Sequence, residues 1–324
     1  MELTSQELIS IKSNVPTCIS VDWDRAIKEH FEYCTQPFFS KMPRVYQLEP
    51  TSICNLQCKF CPLKDLTRPR QEMDMALFKI IVQRDLKWTK AVELFGFGEP
   101  FADSCFEARV KLLKEHGKKI VVATNGLLAH KIKDEIILDI DYLVWDIDAV
   151  TKEQYEQVRG GDYAKMKSNL KRVLELREGK AYTALQYIDL DNSLEKRSMF
   201  LNMYNGIGDE QRVKFLDSFA GQVNFSKEQK CVKCMEPLYG VSVWSNGDVV
   251  MCDRDFDSKH KLGNLNEQSL LDVWRGSVAN YIQSCHRTEQ GEKVKLCSRC
   301  DEWKLTNLRN VPELTVNMFK GGKV

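Results

Sequence analysis

Cys54, Cys58 and Cys61 crowd the short stretch Ser52–Leu63. Thiolates are soft ligands that suit iron–sulfur clusters and zinc. A structural metal site is closed by four ligands, whereas a catalytic one keeps a position open. On a four-iron, four-sulfur (4Fe–4S) cube, three cysteines leave one iron free to take a small molecule. On these residues alone, a zinc site or three buried thiols in a tight loop stays open as the plainer reading.

A second group gathers toward the other end. Cys234 and Cys252 are separated by 17 residues, and Cys297-Ser-Arg-Cys300 follows. Within Val241–Cys252, Asn246-Gly247 sits between alternating apolar runs, a strong hairpin signal. The spacing also accommodates a zinc ribbon in which Cys231-Val-Lys-Cys234 faces Cys297-Ser-Arg-Cys300. Cys285 lies in a helical stretch and reads as a spare thiol. Cys18, Cys34 and Cys105 stand alone and read as ordinary buried or half-buried thiols.

The elements that must position these groups alternate. Short β-branched or aromatic runs begin at Val45, Ala91, Lys119, Tyr142, Tyr182 and Val213. Amphipathic helical stretches separate them, near 73–88, 104–116, 128–138, 151–158 with 164–177, and 193–204. Such alternation means parallel βαβ units. Six units fall short of the eight of a closed barrel, so the expected α/β fold is an open, partial (β/α)6 TIM-like barrel. Residues 1–44 read as a helical lead-in, 45–221 as the barrel, and 222–324 as a small cysteine-rich domain with a tail. The working face of such barrels lies at the carboxyl ends of the strands. The three cysteines, Gly96-Phe-Gly-Glu-Pro100 and Thr124-Asn-Gly126 all fall there.

Composition narrows the setting. The chain of 324 residues carries 47 basic and 46 acidic residues, for a net charge of +1, so no nucleic-acid footprint is expected. No apolar run approaches the roughly 18 residues that cross a bilayer, and Met1–Leu8 lacks a secretory pattern. The expected compartment is the cytoplasm, where 12 cysteines in clusters point to metal rather than disulfides.

The run C-x-x-x-C-x-x-C, with Phe60 before its last cysteine, resembles that of the radical S-adenosylmethionine (SAM) superfamily. The resemblance implies that Cys54, Cys58 and Cys61 hold a 4Fe–4S cluster. Its open iron would chelate SAM, and an electron from the cluster would cleave SAM to a 5′-deoxyadenosyl radical. Phe60 would lie near the adenine. Gly98 and Glu99 match the family's G-G-E-P element, which holds the SAM ammonium, although Phe97 replaces its first glycine. Thr124 and Asn125 match a T-N-G element beside SAM. Asp146 and Asp148 stand where ribose hydroxyls are commonly held, and Arg159 resembles an arginine that pairs with the SAM carboxylate.

Residues 230–303 resemble the SPASM/twitch extension of a subset of these enzymes, through the hairpin, Gly247 and Leu262-Gly-Asn264. No cysteine follows Cys300, which fits the shorter twitch-like form with one auxiliary 4Fe–4S cluster. The resemblance implies Cys234, Cys252, Cys297 and Cys300 as its ligands, with Cys231 able to displace one. Four ligands would make that cluster an electron relay.

Together the two groups imply a radical SAM oxidoreductase acting on a small polar substrate, sugar-like or cyclitol-like, with the auxiliary cluster as electron acceptor. An external one-electron reductant such as flavodoxin or ferredoxin is expected. One rival is a maturase that crosslinks or epimerises ribosomal peptides. The segment before the first strand is shorter than the peptide-recognition domain such maturases often carry. A second rival is an iron–sulfur electron carrier, which would not use a three-cysteine loop. Gln186, Asp189 and Asp217 lie at or beyond the fifth and sixth strands and are candidate substrate contacts. No residue stands out as the general base.

Overall fold

The computed structural model describes residues 43–223, 231 and 233–300. The expected helical lead-in and tail, with Cys18 and Cys34, lie essentially outside the described residues. Six parallel strands follow in sequence: β1 (Arg44–Leu48), β2 (Ala91–Glu93), β3 (Lys119–Thr124), β4 (Tyr142–Asp146), β5 (Tyr182–Asp189) and β6 (Glu210–Phe215). They lie side by side in chain order, the layout of an open, partial (β/α)6 barrel. The expectation of β6 from Val213 starts it three residues late. Glu210, Gln211 and Arg212 are polar, so the strand begins before its apolar signature does.

The helices are α1 (Met75–Ile80), α2 (Phe106–Glu115), α3 (Asp134–Asp139), α4 (Lys152–Arg159), α5 (Tyr163–Arg177) and α6 (Leu194–Met203). Side-chain caps fix where several begin. Asp74 accepts from the Ala76 and Leu77 amides, Thr151 from Gln154, Asp162 from Lys165 and Ser193 from Lys196. The stretch expected as one helix from Leu128 instead makes a 3-10 turn at Ala129–Lys131. It restarts as α3 after Lys133, whose backbone is extended.

Period-two alternation splits each inner strand between two environments. Ile120, Val122, Leu143, Trp145, Leu185 and Tyr187 face the helices and join the main core. Val121, Tyr142, Val144, Tyr182 and Ala184 face the other way and form a separate cluster with Phe95 and Ala123. That second face is the barrel lumen.

The cysteine-rich part is built onto the same sheet. Strand β7 (Gly240–Val243) pairs parallel with β1, and β8 (Asp248–Val250) and β9 (Gly263–Asn264) continue antiparallel. The expected Asn246-Gly247 turn joins β7 to β8, with Gly247 at φ 86°, a conformation that favours glycine. Helices α7 (Glu236–Tyr239), α8 (Leu270–Arg275) and α9 (Ser277–Arg287) complete it. Val241, Val243, Val249, Leu265, Val273 and Trp274 belong to the main core. Ala220, Met251, Ile282, Val294 and Leu296 form a small core of their own with Cys231, Cys234, Cys285 and Cys297. No helix among the described residues is long and apolar enough to cross a membrane.

Candidate functional site

The loop after β1 presents Cys54, Cys58 and Cys61, all half-buried. Two polar groups reach the sulfurs. Arg159 Nη1 lies 3.8 Å from Cys58 Sγ, and Asn125 Nδ2 lies 4.0 Å from Cys54 Sγ. Burial pushes the Cys54 thiol up to about 12, helped by the Glu99 carboxylate, and Cys58 to about 11 against the pull of Arg159. Cys61 is raised as well, chiefly by burial. Protein alone therefore keeps these sulfurs protonated, and the positive charge of bound iron is what would stabilise them as thiolates. The all-sulfur donor set and its polar neighbours fit an iron–sulfur cluster.

The other motif residues surround this loop. Gly98 brings its backbone against Thr51, where an added Cβ would sit 2.2 Å from the carbonyl oxygen. This close approach lets the Glu99 amide donate to the Ile53 carbonyl at 2.9 Å. Glu99 is buried and accepts from Thr124 Oγ1 (2.6 Å), the Asn125 amide (2.8 Å) and the Phe101 amide (3.1 Å). These bonds use three of the about four acceptor positions of a carboxylate, leaving one for a ligand ammonium. Burial outweighs the three donors and pushes Glu99 up to about 7. Asn125 also donates to Asn55 Oδ1 at 2.9 Å, tying the β3 end to the cysteine loop.

Buried Asp148 and Arg159 form a charge group with half-buried Asp146. Arg159 Nη2 pairs with Asp148, lies 3.8 Å from Asp146, and the guanidinium sits 5.8 Å from the Phe60 ring centre. Asp148 also accepts the Ile188 amide at 2.8 Å, and its backbone is left-handed at φ 54°. Desolvation opposes the Arg159 charge, but Asp148, Cys58 and Asp146 more than compensate and raise its pKa. In this structure Arg159 is held by protein carboxylates, with the Phe60 face and Cys58 sulfur beside it.

The substrate candidates divide. Gln186 faces the lumen, donates to Asp146 Oδ1 at 2.7 Å, and leaves its buried Oε1 without a partner among the described residues. Asp189, expected at the same mouth, lies on the opposite face of β5. Its carboxylate caps α6 through the Ser193 amide (3.0 Å) and pairs with Arg197 at 3.0 Å. Three residues from Gln186, alternation turns it away. Asp217 accepts the Phe219 amide at 2.6 Å and pairs with Arg254 at 3.0 Å, linking the β6 exit to the segment after Cys252.

Beyond Asp146 and Gln186, sequence reasoning missed the polar lining of the lumen, namely Glu93, Glu210 and Arg212. Parallel register sets Asp146, Gln186 and Arg212 in one row, Val144, Ala184 and Glu210 in a second, and Glu93, Val121, Tyr142 and Tyr182 in a third. Glu210 accepts from the hydroxyl of Tyr142, which stacks on Tyr182, and pairs with Arg212 at 3.2 Å. It also missed Glu49. This fully buried carboxylate takes both guanidinium nitrogens of Arg68 (2.7 and 2.8 Å) and the amides of Phe97 and Ser245. Four chain segments meet on it, one of them the β7–β8 turn. Phe97, where the family motif has glycine, packs on Phe219, Trp244 and Phe256.

Across the C-terminal region Cys231, Cys234, Cys252, Cys297 and Cys300 line one cavity with Glu236 and Arg254. Burial raises Cys234 and Cys252 well above the usual thiol range. A hydrogen bond to Cys231, followed by burial, raises Cys297. Cys231 thus shares the cavity with the four expected ligands. Cys285 packs in the small core without lining the cavity, and Cys105 lies apart, at the start of α2. His286, fully buried and held neutral by burial at about 4, accepts the Cys234 amide at 3.1 Å and so fixes that loop. Among the described residues no three such ligands converge at single-ion distance. A lone zinc requires that convergence, whereas a four-iron cube takes its thiolates on separate irons.

Residues 48–188 match the radical SAM superfamily model, and residues 231–301 match SPASM, an iron–sulfur cluster-binding domain. The chain is 24% identical over 274 residues to the S-adenosyl-L-methionine-dependent 2-deoxy-scyllo-inosamine dehydrogenase of Niallia circulans, covering 81% of this chain and 94% of that relative. Among solved structures it is similar to BtrN in complex with AdoMet and 2-DOIA, with TM-score 0.58 and 19% identity over 80% of this chain and 93% of that one. It is also similar to Streptococcus suis SuiB bound to precursor peptide SuiA, with TM-score 0.62 and 17% identity over 84% of this chain and 74% of that one.

Proposed function

Since this chain belongs to the radical SAM superfamily and carries a C-terminal SPASM domain, we propose that it dehydrogenates a secondary alcohol on a small cyclitol-like substrate. The observation that carries this reading is the lumen. Charged and amide side chains on β2, β4, β5 and β6 line it. Glu93, Asp146, Gln186 and Arg212 offer both donors and acceptors, which is what a polyhydroxylated ring needs. The similarity to a cyclitol dehydrogenase over most of both chains supports the same choice.

When bound, the first cluster with SAM supplies a hydrogen-atom acceptor, and the auxiliary cluster supplies a one-electron acceptor. Cys54, Cys58 and Cys61 would hold the first cluster. Glu99 would orient the SAM ammonium, and Asp146, Asp148 and Arg159 its ribose and carboxylate, beside Phe60. Cys234, Cys252, Cys297 and Cys300 would hold the second, with the Cys234 loop fixed by His286. Gln186 Oε1 is free to accept from a substrate hydroxyl. The C-terminal region is fixed to the barrel through Glu49, which accepts the Ser245 amide of the β7–β8 turn.

The test is a panel of cyclitols and aminocyclitols, 2-deoxy-scyllo-inosamine among them, offered to the anaerobically reconstituted protein with SAM and a reductant. Ketone and 5′-deoxyadenosine should form in about equal amounts. Nucleoside without ketone across the panel, together with modification of a peptide, would replace this reading with a maturase.

A further inference from the structure

Four carboxylates, Glu93, Asp146, Asp148 and Glu210, stand on or just beyond strands β2, β4 and β6 that border the lumen, and three are already engaged. Asp146 accepts from Gln186 and neighbours Arg159. Asp148 is paired with Arg159 and bonded to the Ile188 amide. Glu210 is bonded to the Tyr142 hydroxyl and paired with Arg212. Glu93 remains, with no close hydrogen-bond or ion-pair partner among the described residues.

Its placement follows from the strand. Val92 and Leu94 are fully buried in the main core, so alternation turns Glu93 between them into the lumen. It pairs in register with Val121 and Gln47. The charges within its electrostatic reach come from both sides of the chamber. Arg44 on β1 and Lys214 on β6 are cationic, while Asp253 and Glu236 come from the cysteine-rich part. Arg212 on β6 also feels its charge. Asp253 adjoins Cys252, and Glu236 lines the cysteine cavity. Glu93 therefore stands on the side of the lumen toward the auxiliary cysteines, where an electron leaving the substrate would exit.

Resting on the dehydrogenase reading, we propose that Glu93 is the general base that removes the substrate's hydroxyl proton. The balance closes as follows. The carbinol carbon gives up a hydrogen atom to the SAM-derived acceptor, and the hydroxyl gives its proton to the Glu93 carboxylate. The remaining electron would pass to the oxidised auxiliary cluster that Cys234, Cys252, Cys297 and Cys300 would hold, and the carbon–oxygen bond becomes a carbonyl. Loss of the proton makes the carbon-centred radical a far stronger reductant, so proton and electron departures are coupled. Burial, acting against the nearby cations, pushes Glu93 up to about 7, which suits a base working near neutrality.

The experiment compares wild type, Glu93→Gln and Glu93→Asp across pH 5.5–8.5 with the best cyclitol, reading ketone formed per 5′-deoxyadenosine. In wild type the ratio should rise with pH through about 7, as the carboxylate deprotonates. Glu93→Gln should lower it about 100-fold or more and remove the inflection. Glu93→Asp, which keeps the charge one methylene away, should lose kcat more than KM and retain an inflection. Independently, side-chain carboxyl carbon-13 NMR of protein without clusters should show a glutamate titrating near 7 that Glu93→Gln deletes. A ratio and pH profile unchanged in Glu93→Gln would overturn the role while leaving the dehydrogenase reading intact. Absence of ketone from wild type would overturn both.

Discussion

Arg68 and Glu49 form the buried pair that fixes the C-terminal hairpin to the barrel, and replacing Arg68 with methionine tests what that pair contributes. Side-chain exposure is 3% for Arg68 and 0% for Glu49, so the substitution strands a carboxylate with no solvent to receive its charge. Breaking such a pair costs about 3–5 kcal/mol. The change also removes the 2.8 Å bond from Arg68 Nε to the Phe256 carbonyl and the guanidinium lying 5.1 Å from the Trp244 ring centre. The assay is urea unfolding followed by tryptophan fluorescence. At an m-value of about 3 kcal/mol per M, the midpoint should fall by about 1 M or more. Adding Glu49→Gln removes the stranded charge, so the double variant should recover about 1.5 kcal/mol or more relative to Arg68→Met alone. Hydrogen exchange should speed up at the Phe97 and Ser245 amides, both of which donate to Glu49. A loss below about 1 kcal/mol, or strict additivity in the double variant, would refute the assignment of Glu49 as the point of attachment.

Replacing Cys252 with alanine should leave nucleoside release uncoupled from oxidation, so that ketone falls while 5′-deoxyadenosine continues; unchanged ketone, measured by chromatography, would remove the electron-acceptor role. The raised pKa of Glu99 also sets a pH trend in the protein without clusters. Between its ordinary value near 4.5 and about 7 the folded state holds a proton that the unfolded chain releases, so stability is lost as pH rises through that window. The loss attributable to Glu99 is about 3 kcal/mol at most, and Glu99→Gln should flatten the slope of unfolding midpoint against pH.

The cysteine loop was legible because its three cysteines are neighbours in sequence, and the metal chemistry proposed for them would restrict their spacing. The strand–helix alternation was legible for the same local reason, down to the Asn246-Gly247 turn. What escaped was set by long-range contact. Glu49 meets Ser245 from 196 residues away, and Asp257 receives the Thr67 amide from 190, with no local signature in either case. Glu93 could have been found, since it stands between the apolar Val92 and Leu94 in a strand already recognised. The same alternation would have turned Asp189 away from the lumen. Polar lumen residues weaken an apolar strand signal, which is why the start of β6 was placed late.

The central claim is an iron left open above Cys54, Cys58 and Cys61 to receive SAM. Electron–nuclear double resonance on the reduced protein, with SAM labelled at its amino nitrogen and carboxylate, tests this most directly. Hyperfine coupling from both labels to a cluster, lost in Cys58→Ala, is the predicted result. A fully formed cluster showing no coupling to either label would contradict it.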